Sequence, residues 1–318
     1  MIEVVDMQSM KSYMIQAITL QIKNAELQKL LLSFVNEKSK LNFGQLTIAH
    51  HKAFGGKDPE IIQLAAAIEL LILSFDIFDD LEDLDNMQEL WMQIDHSIAL
   101  NAATTIYTLS QQTALTLSSP FKHQIQTAFL HYSMQAMEGQ HDDLKNAMST
   151  EEECLDVMKR KSGSLMALAS VCGMLLANVN YPEVEAYSYQ FGIAAQTDND
   201  FRDLFNLQKG DTSSQKKSLA LFYLQKGYNA PALEILTFFE SGRDFNEEFG
   251  SIEIYKQKLL DSGVTQYLNV LKQISINKAK RLLEGLPIES HQIEYLKSQL
   301  IINNKRTNNE ERSLCMKS

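Results

Sequence analysis

Apolar residues recur along most of this chain every three to four positions. Ile61 to Asp83, Thr127 to Leu144 and Leu155 to Ala177 show the period most clearly. That spacing gathers apolar side chains on one face of an α-helix. Alternating β-branched runs are scarce, and only 5 Pro and 13 Gly punctuate 318 residues. The pattern predicts an all-α protein.

Residues 1–50 read as one or two introductory helices. Phe54-Gly55-Gly56-Lys57-Asp58-Pro59 then marks a turn, since glycine and proline end helices for opposite backbone reasons. Further long helices are predicted over Asn101–Leu117, Lys122–Lys145 and Glu151–Ala177. Ser119-Pro120 and Ser149-Thr150 mark helix starts, and the acids after Thr150 suit a helix N-terminus. Tyr181-Pro182 opens another helix, 208–214 is polar and loop-like, and breaks fall near Gly227, Gly242 and Gly263. With no linker between halves, the reading is one domain over 1–302 and a polar tail over 303–318.

At 45% hydrophobic the chain can bury a sizeable core. A net charge of −11 argues against nucleic acid and against attraction to an anionic membrane. Cys154, Cys172 and Cys315 are odd in number and lack metal-ligand spacing, which suits a reduced, cytoplasmic protein. The start of the chain lacks a basic segment followed by an apolar one. The most apolar stretch, Ala65 to Phe75, carries Glu69 and reads as too short to span a bilayer. A soluble protein without stable membrane insertion is expected.

One segment breaks the helical pattern in character. Asp76 to Asp85 holds six acids in ten residues, directly after the apolar run Ile68 to Phe75. Asp79, Asp80 and Asp83 form a DDxxD pattern, while Asp76, Asp80 and Asp83 follow i, i+4, i+7 spacing, which points carboxylates along one helical stripe. Clustered carboxylates suit Mg²⁺, which takes one or two of them together with phosphate oxygens and water. A solvated acidic helix end is the plainer alternative. Near residue 200 the arrangement is echoed: Asn199, Asp200 and Asp203 repeat the i, i+1, i+4 geometry, with a neutral amide oxygen in first place. Two acidic helix ends in one bundle could hold metal ions around a diphosphate.

The order of the remaining motifs makes the chemistry specific. Gly55-Gly56-Lys57, Glu69-Leu-Leu before Asp79-Asp80-x-x-Asp83, Gly139-Gln140-x-x-Asp143-Leu144, Lys161-Ser162, Gln196-x-x-Asn199-Asp200-x-x-Asp203 and Lys216-Lys217 follow one another. In that order they resemble the trans-prenyltransferases of the isoprenyl diphosphate synthase superfamily. The resemblance implies a single-domain bundle of the isoprenoid synthase type with a central apolar cavity. It implies Mg²⁺ held by Asp79, Asp80, Asp83, Asn199, Asp200 and Asp203, the first three being catalytic. Lys57, Phe75, Gln140, Lys161, Gln196 and Lys216 would bind substrate, and a homodimer is expected.

Where the family carries an arginine after Gly-Gly-Lys, this chain has Glu60. Where it carries paired arginines after the first acidic motif, this chain has Leu84-Asp85-Asn86-Met87-Gln88. Like charge there should repel an acceptor diphosphate. Together with Leu90-Trp91-Met92, the pattern resembles the peptide prenyltransferases of bacterial competence signalling. That resemblance implies transfer of a farnesyl or geranyl group from its diphosphate to C3 of a tryptophan in a precursor peptide of the ComX type. Phe75, four residues before Asp79, would floor a short-tail tunnel, or be an ordinary core phenylalanine. A short-chain isoprenyl diphosphate synthase is the main alternative; a terpene cyclase and a non-catalytic regulatory subunit are further ones. Met134, Met137, Met158 and Met166 read first as core filler, Trp91 as packing. His50, His51, His131 and His141 are too scattered for a metal site. Lys57 could be a solvated turn lysine, Asp143 a part of the donor site or a polar contact between helices, and Arg202 a partner for a nearby acid.

Overall fold

A computed structural model describes residues 2–205, 216–241 and 243–300. The loop expected over 208–214, the break at Gly242 and the tail from 303 lie outside the described residues, as does Cys315. Among the described residues every regular element is a helix. The chain runs through α1 (Ile2–Gln21), α2 (Ala25–Glu37), α3 (Asn42–Ala53) and α4 (Ile61–Asp83), then a short 3-10 turn (Leu90–Gln93). α5 (His96–Leu115), α6 (Lys122–Lys145) and α7 (Glu151–Met158) follow, then a π-helical turn (Lys159–Gly163), α8 (Ser164–Leu176) and α9 (Pro182–Asp203). The last elements are α10 (Leu219–Gln225), α11 (Ala230–Ser241), α12 (Phe245–Glu248), α13 (Ile252–Ser262) and α14 (Val264–Glu284), with a further helical stretch over 290–300.

These elements group into two compact units, one of residues 1–135, 164–186 and 283–299, the other built mainly of 136–163 and 187–282. The first is organised around α4. Residues Leu64 to Ser74 of that helix are buried without a break, so it reads as apolar on every face. By length and composition α4 could cross a bilayer, and 67% of its most apolar window is buried inside the protein. The apolar run at Ala65–Phe75 is the middle of the helix that the pattern over Ile61–Asp83 predicts, and it serves as a core. Ala65 and Ala66 of α4 share the core with Ala99, Ala102 and Ala103 of α5. Small side chains let two helix backbones approach, and Ser74 Oγ donates to Ala103 O at 3.0 Å. The second unit has its own core, in which Met158, Phe201, Leu219, Tyr255 and Leu259 are buried together.

One charged group, Glu69, lies within the unbroken buried run of α4. Glu69 is fully buried, and its Oε1 accepts from the Gly44 N–H at 2.6 Å. A carboxylate from one helix thereby caps the first turn of another, α3, whose early N–H groups have no partner within the helix. Burial pushes the Glu69 pKa up to about 7 from 4.5, against the pull of Lys38 and of the Gly44 N–H. Lys38, in the link between α2 and α3, stands 3.8 Å from Glu69 and 2.9 Å from Asp76. Burial opposes the Lys38 charge as well, but Asp76 and Glu69 outweigh it and hold its pKa above the ordinary lysine value.

The sign of the pH effect follows. A carboxyl group whose pKa is raised by folding contributes stability that is complete below about 4.5 and is lost as pH rises through about 7. Lys38→Met removes the cation that limits this loss. The variant is expected to lose about 3 kcal/mol at pH 8, where Glu69 is ionised, and clearly less at pH 5. Urea unfolding at the two pH values measures this; equal losses would contradict it.

Candidate active site

The first acidic motif occupies the last turn of α4, and the chain leaves that helix abruptly. Leu84 caps it in the left-handed region (φ 54°), and Asn86 is also left-handed (φ 47°). A leucine with positive φ stores roughly 1 kcal/mol of strain, so something must hold the turn closed. Asp80 does so. Its backbone oxygen accepts from the Asp85 N–H at 3.2 Å. Its Oδ1 accepts from Asn86 Nδ2 at 2.6 Å and its Oδ2 from the Trp91 indole N–H at 2.7 Å. Trp91 is 7% exposed and meets Phe34 edge-on, ring centroids 5.6 Å apart. Burial pushes the Asp80 pKa up to about 6, and Asp79 and Asp76 add to the rise while both side-chain hydrogen bonds oppose it.

The stripe expected of Asp76, Asp80 and Asp83 is therefore not uniform. Asp80 is buried, Asp79 and Asp83 are half-buried, and Asp76 is exposed toward Lys38. A cavity of about 350 Å³ opens beside them, lined by Lys38, Lys40, Asp76, Asp79, Asp80 and Trp91 among others. Phe75 is half-buried one turn before Asp79, its ring 6.1 Å from that of Tyr107 on α5.

Lys57 does not belong to this group. It is exposed at the opposite end of α4, and 23 residues of helix place it on the order of 30 Å from the acids. Glu60 at the same end has a structural task. Its carboxylate accepts from the N–H groups of Ser118 and Ser119 at 2.7 and 2.9 Å, fixing the turn between α5 and α6. Glu60 is thus no repulsive group at the acceptor position. The cations that do reach the cavity are Lys38 and Lys40, which no local pattern singles out.

In the second unit, three helical segments bring the remaining motifs together. Asp143 on α6 pairs with Lys161 of the π-turn at 2.8 Å and with Lys216 at 2.9 Å. Burial would raise the Asp143 pKa, but the two lysines hold it below the usual carboxylate range. Ser162 Oγ donates to Gln196 Oε1 at 2.8 Å, and Gln196 Nε2 donates to Asp200 Oδ1 at 3.2 Å. Asp200 Oδ2 is shut off from solvent and accepts no hydrogen bond. Burial, with Asp203 and Asp143 nearby, pushes the Asp200 pKa up to about 7, against Gln196 and Lys216. Gln140 lies one turn before Asp143, and Asp203 is exposed one turn after Asp200. Asn199, expected among the metal ligands, has its side-chain oxygen accepting from Arg202 Nη2 at 2.6 Å. Arg202 also pairs with Asp198 at 3.2 Å, and Lys272 meets the other Asp198 oxygen.

The π-turn makes this possible, and such turns often mark functional positions. It interrupts the helix expected over Glu151–Ala177 and re-aims Lys161 and Ser162. Glycines admit it at close quarters. A Cβ on Gly139 would overlap the Lys161 backbone, and one on Gly192 would overlap Gly163. The methionines are dispersed: Met158 is buried as core, whereas Met134 and Met137 are exposed.

No three His, Cys, Asp or Glu side chains among the described residues converge as a ready metal cage. The donor set still fits Mg²⁺, which is held by one or two carboxylates plus phosphate oxygens rather than by a full protein cage. Asp79 and Asp83 in the first unit, and Asp200 with its unsatisfied oxygen in the second, are such carboxylates.

The all-helical fold is that of the isoprenoid synthases. A decaprenyl diphosphate synthase from Rhodobacter capsulatus has the same fold, with a TM-score of 0.80 at 17% identity over 96% of this chain and 97% of that one. The profile of the family described as Polyprenyl synthetase matches residues 24–245. The chain belongs to the polyprenyl synthetase family. It is similar to the Tryptophan prenyltransferase ComQ of Bacillus spizizenii, 40% identical over 79% of this chain and 90% of the relative. The ComQ of Bacillus subtilis subsp. natto is also 40% identical, over 92% of this chain and 91% of the relative.

Gly192→Ala should force the π-turn away from α9, costing about 2 kcal/mol through overpacking. Thermal unfolding would show a lower midpoint, and displacement of Lys161 should raise the KM for an allylic diphosphate. A variant with wild-type melting and KM would contradict the role given to this contact.

Proposed function

We propose that the protein transfers a farnesyl or geranyl group from its diphosphate to a tryptophan of a precursor peptide of the ComX type. The observation that carries this reading is the division of charged groups between the donor and the acceptor. Lys161 and Lys216, gathered on Asp143, can turn to a departing diphosphate, while Asp85, Asn86 and Met87 stand where the family places acceptor-binding arginines. The 40% identity to tryptophan prenyltransferases over most of both chains supports the same acceptor.

In the first unit Asp79 and Asp83 would hold Mg²⁺, and in the second unit Asp200 and Asp203 would do so. Bound there, the ion would act as a Lewis acid, offsetting charge on the diphosphate as the C1–O bond breaks. The electron pair leaves with the diphosphate, indole C3 bonds to the allylic carbon, and positive charge rests on the indole nitrogen until a proton is lost. Phe75 and Tyr107 would limit the tail to ten or fifteen carbons and keep water from the cation. Exposed Leu130 and Met134, one turn apart on α6, offer an apolar face to a second copy. Cys154 and Cys172 are buried and unbridged, which supports a cytoplasmic setting.

The test is direct. Purified protein with Mg²⁺, farnesyl or geranyl diphosphate and a tryptophan-bearing precursor peptide should yield a peptide heavier by one prenyl group in a mass spectrum. Chelation of the metal, or Asp79→Ala, should reduce the rate by at least about a hundredfold. Labelled isopentenyl diphosphate in the same reaction should remain unextended. Efficient elongation would instead establish the short-chain synthase reading.

A further inference from the structure

Both oxygens of Asp80 accept from donors that lie just beyond the first motif. Asn86 and Trp91 donate to them at 2.6 and 2.7 Å. Each donor takes one lone-pair position of the Asp80 carboxylate, and together they fix its orientation; Asp79 lines the cavity and Asp83 is half-buried. The two donors follow the motif in sequence, and the left-handed turns at Leu84 and Asn86 are what bring them back to it. Trp91 is itself fixed by Phe34 and by the α4–α5 core.

We propose that Trp91 and Asn86 are positioning residues for the first acidic motif. They turn Asp80 inward and so fix the end of α4, leaving Asp79 and Asp83 to meet the metal ion of the donor diphosphate. The proposal rests on the reading of this motif as a metal-holding helix end. Outer partners that orient ligands are worth roughly tenfold or more in metal affinity, which is large enough to measure.

Mn²⁺ with inorganic diphosphate serves as the probe, and free Mn²⁺ is read by electron paramagnetic resonance. Trp91→Phe keeps the ring against Phe34 but removes the N–H; Asn86→Ala removes the other donor. Each should weaken Mn²⁺–diphosphate binding by roughly tenfold. In turnover each should raise the Mg²⁺ concentration needed for half-maximal rate and leave kcat at saturating Mg²⁺ nearly unchanged. Trp91→Phe and Asp80→Asn should be strongly non-additive, because they remove two ends of one contact. Trp91 is the chain's single tryptophan, so in the wild type its fluorescence should respond to Mn²⁺–diphosphate, and Asp79→Ala should abolish that response. If Trp91→Phe and Asn86→Ala bind Mn²⁺ as the wild type does while Asp79→Ala does not, the positioning role is overturned alone. If Asp79→Ala also binds normally, the metal reading of the motif falls with it. Should Trp91→Phe not fold, Asn86→Ala decides.

Discussion

A carboxylate withdrawn from water must be met by a donor or a cation, because an unanswered buried charge costs more than a helix can return. Much of this protein is arranged around that requirement. Glu69 is met by the Gly44 N–H and by Lys38. Asp80 is met by Asn86 and Trp91, Asp143 by Lys161 and Lys216, and Asp198 by Lys272 and Arg202. Except for Arg202, which lies one turn from Asp198 on α9 itself, each answer comes from another helix, a link or a turn that folds back. The carboxylates therefore fix where helix ends stand as well as what chemistry they do.

Seen this way, the acidic run at Asp76–Asp85 contains three kinds of group. Asp76 serves with Glu69 to hold Lys38. Asp80 is a structural anchor whose partners lie just beyond the helix. Asp79 lines the cavity and Asp83 is half-buried, and these are the two acids proposed for a metal-bound diphosphate. The second motif divides similarly: Asn199 is taken up by Arg202, and Asp200 keeps one oxygen unsatisfied.

The helices were legible in the sequence because their apolar period is long and rarely interrupted. α4 and α6 begin and end where pattern and punctuation place them, at Ile61–Asp83 and Lys122–Lys145. The π-turn was not legible, since Lys159 to Gly163 continues a good helical pattern and the close approach of Gly163 to Gly192 is a contact across elements. The acidic motifs and Lys161, Gln196 and Lys216 could be read from order and spacing. Lys57 and Glu60 misled because Gly-Gly-Lys looks alike wherever it occurs, and only the length of α4 separates it from the acids. Lys38 and Trp91 were hidden for the opposite reason. Their value lies in contacts made across elements, which spacing along the chain does not encode.

The end of α4 depends most directly on the Trp91–Asp80 contact. With one tryptophan in the chain, a proton–nitrogen correlation spectrum contains a single indole N–H signal. A hydrogen bond to a buried carboxylate predicts that this signal lies downfield of a water-exposed indole, exchanges slowly with solvent, and moves upfield in Asp80→Asn. A signal at the position of a solvated indole, exchanging rapidly and indifferent to Asp80→Asn, would contradict it.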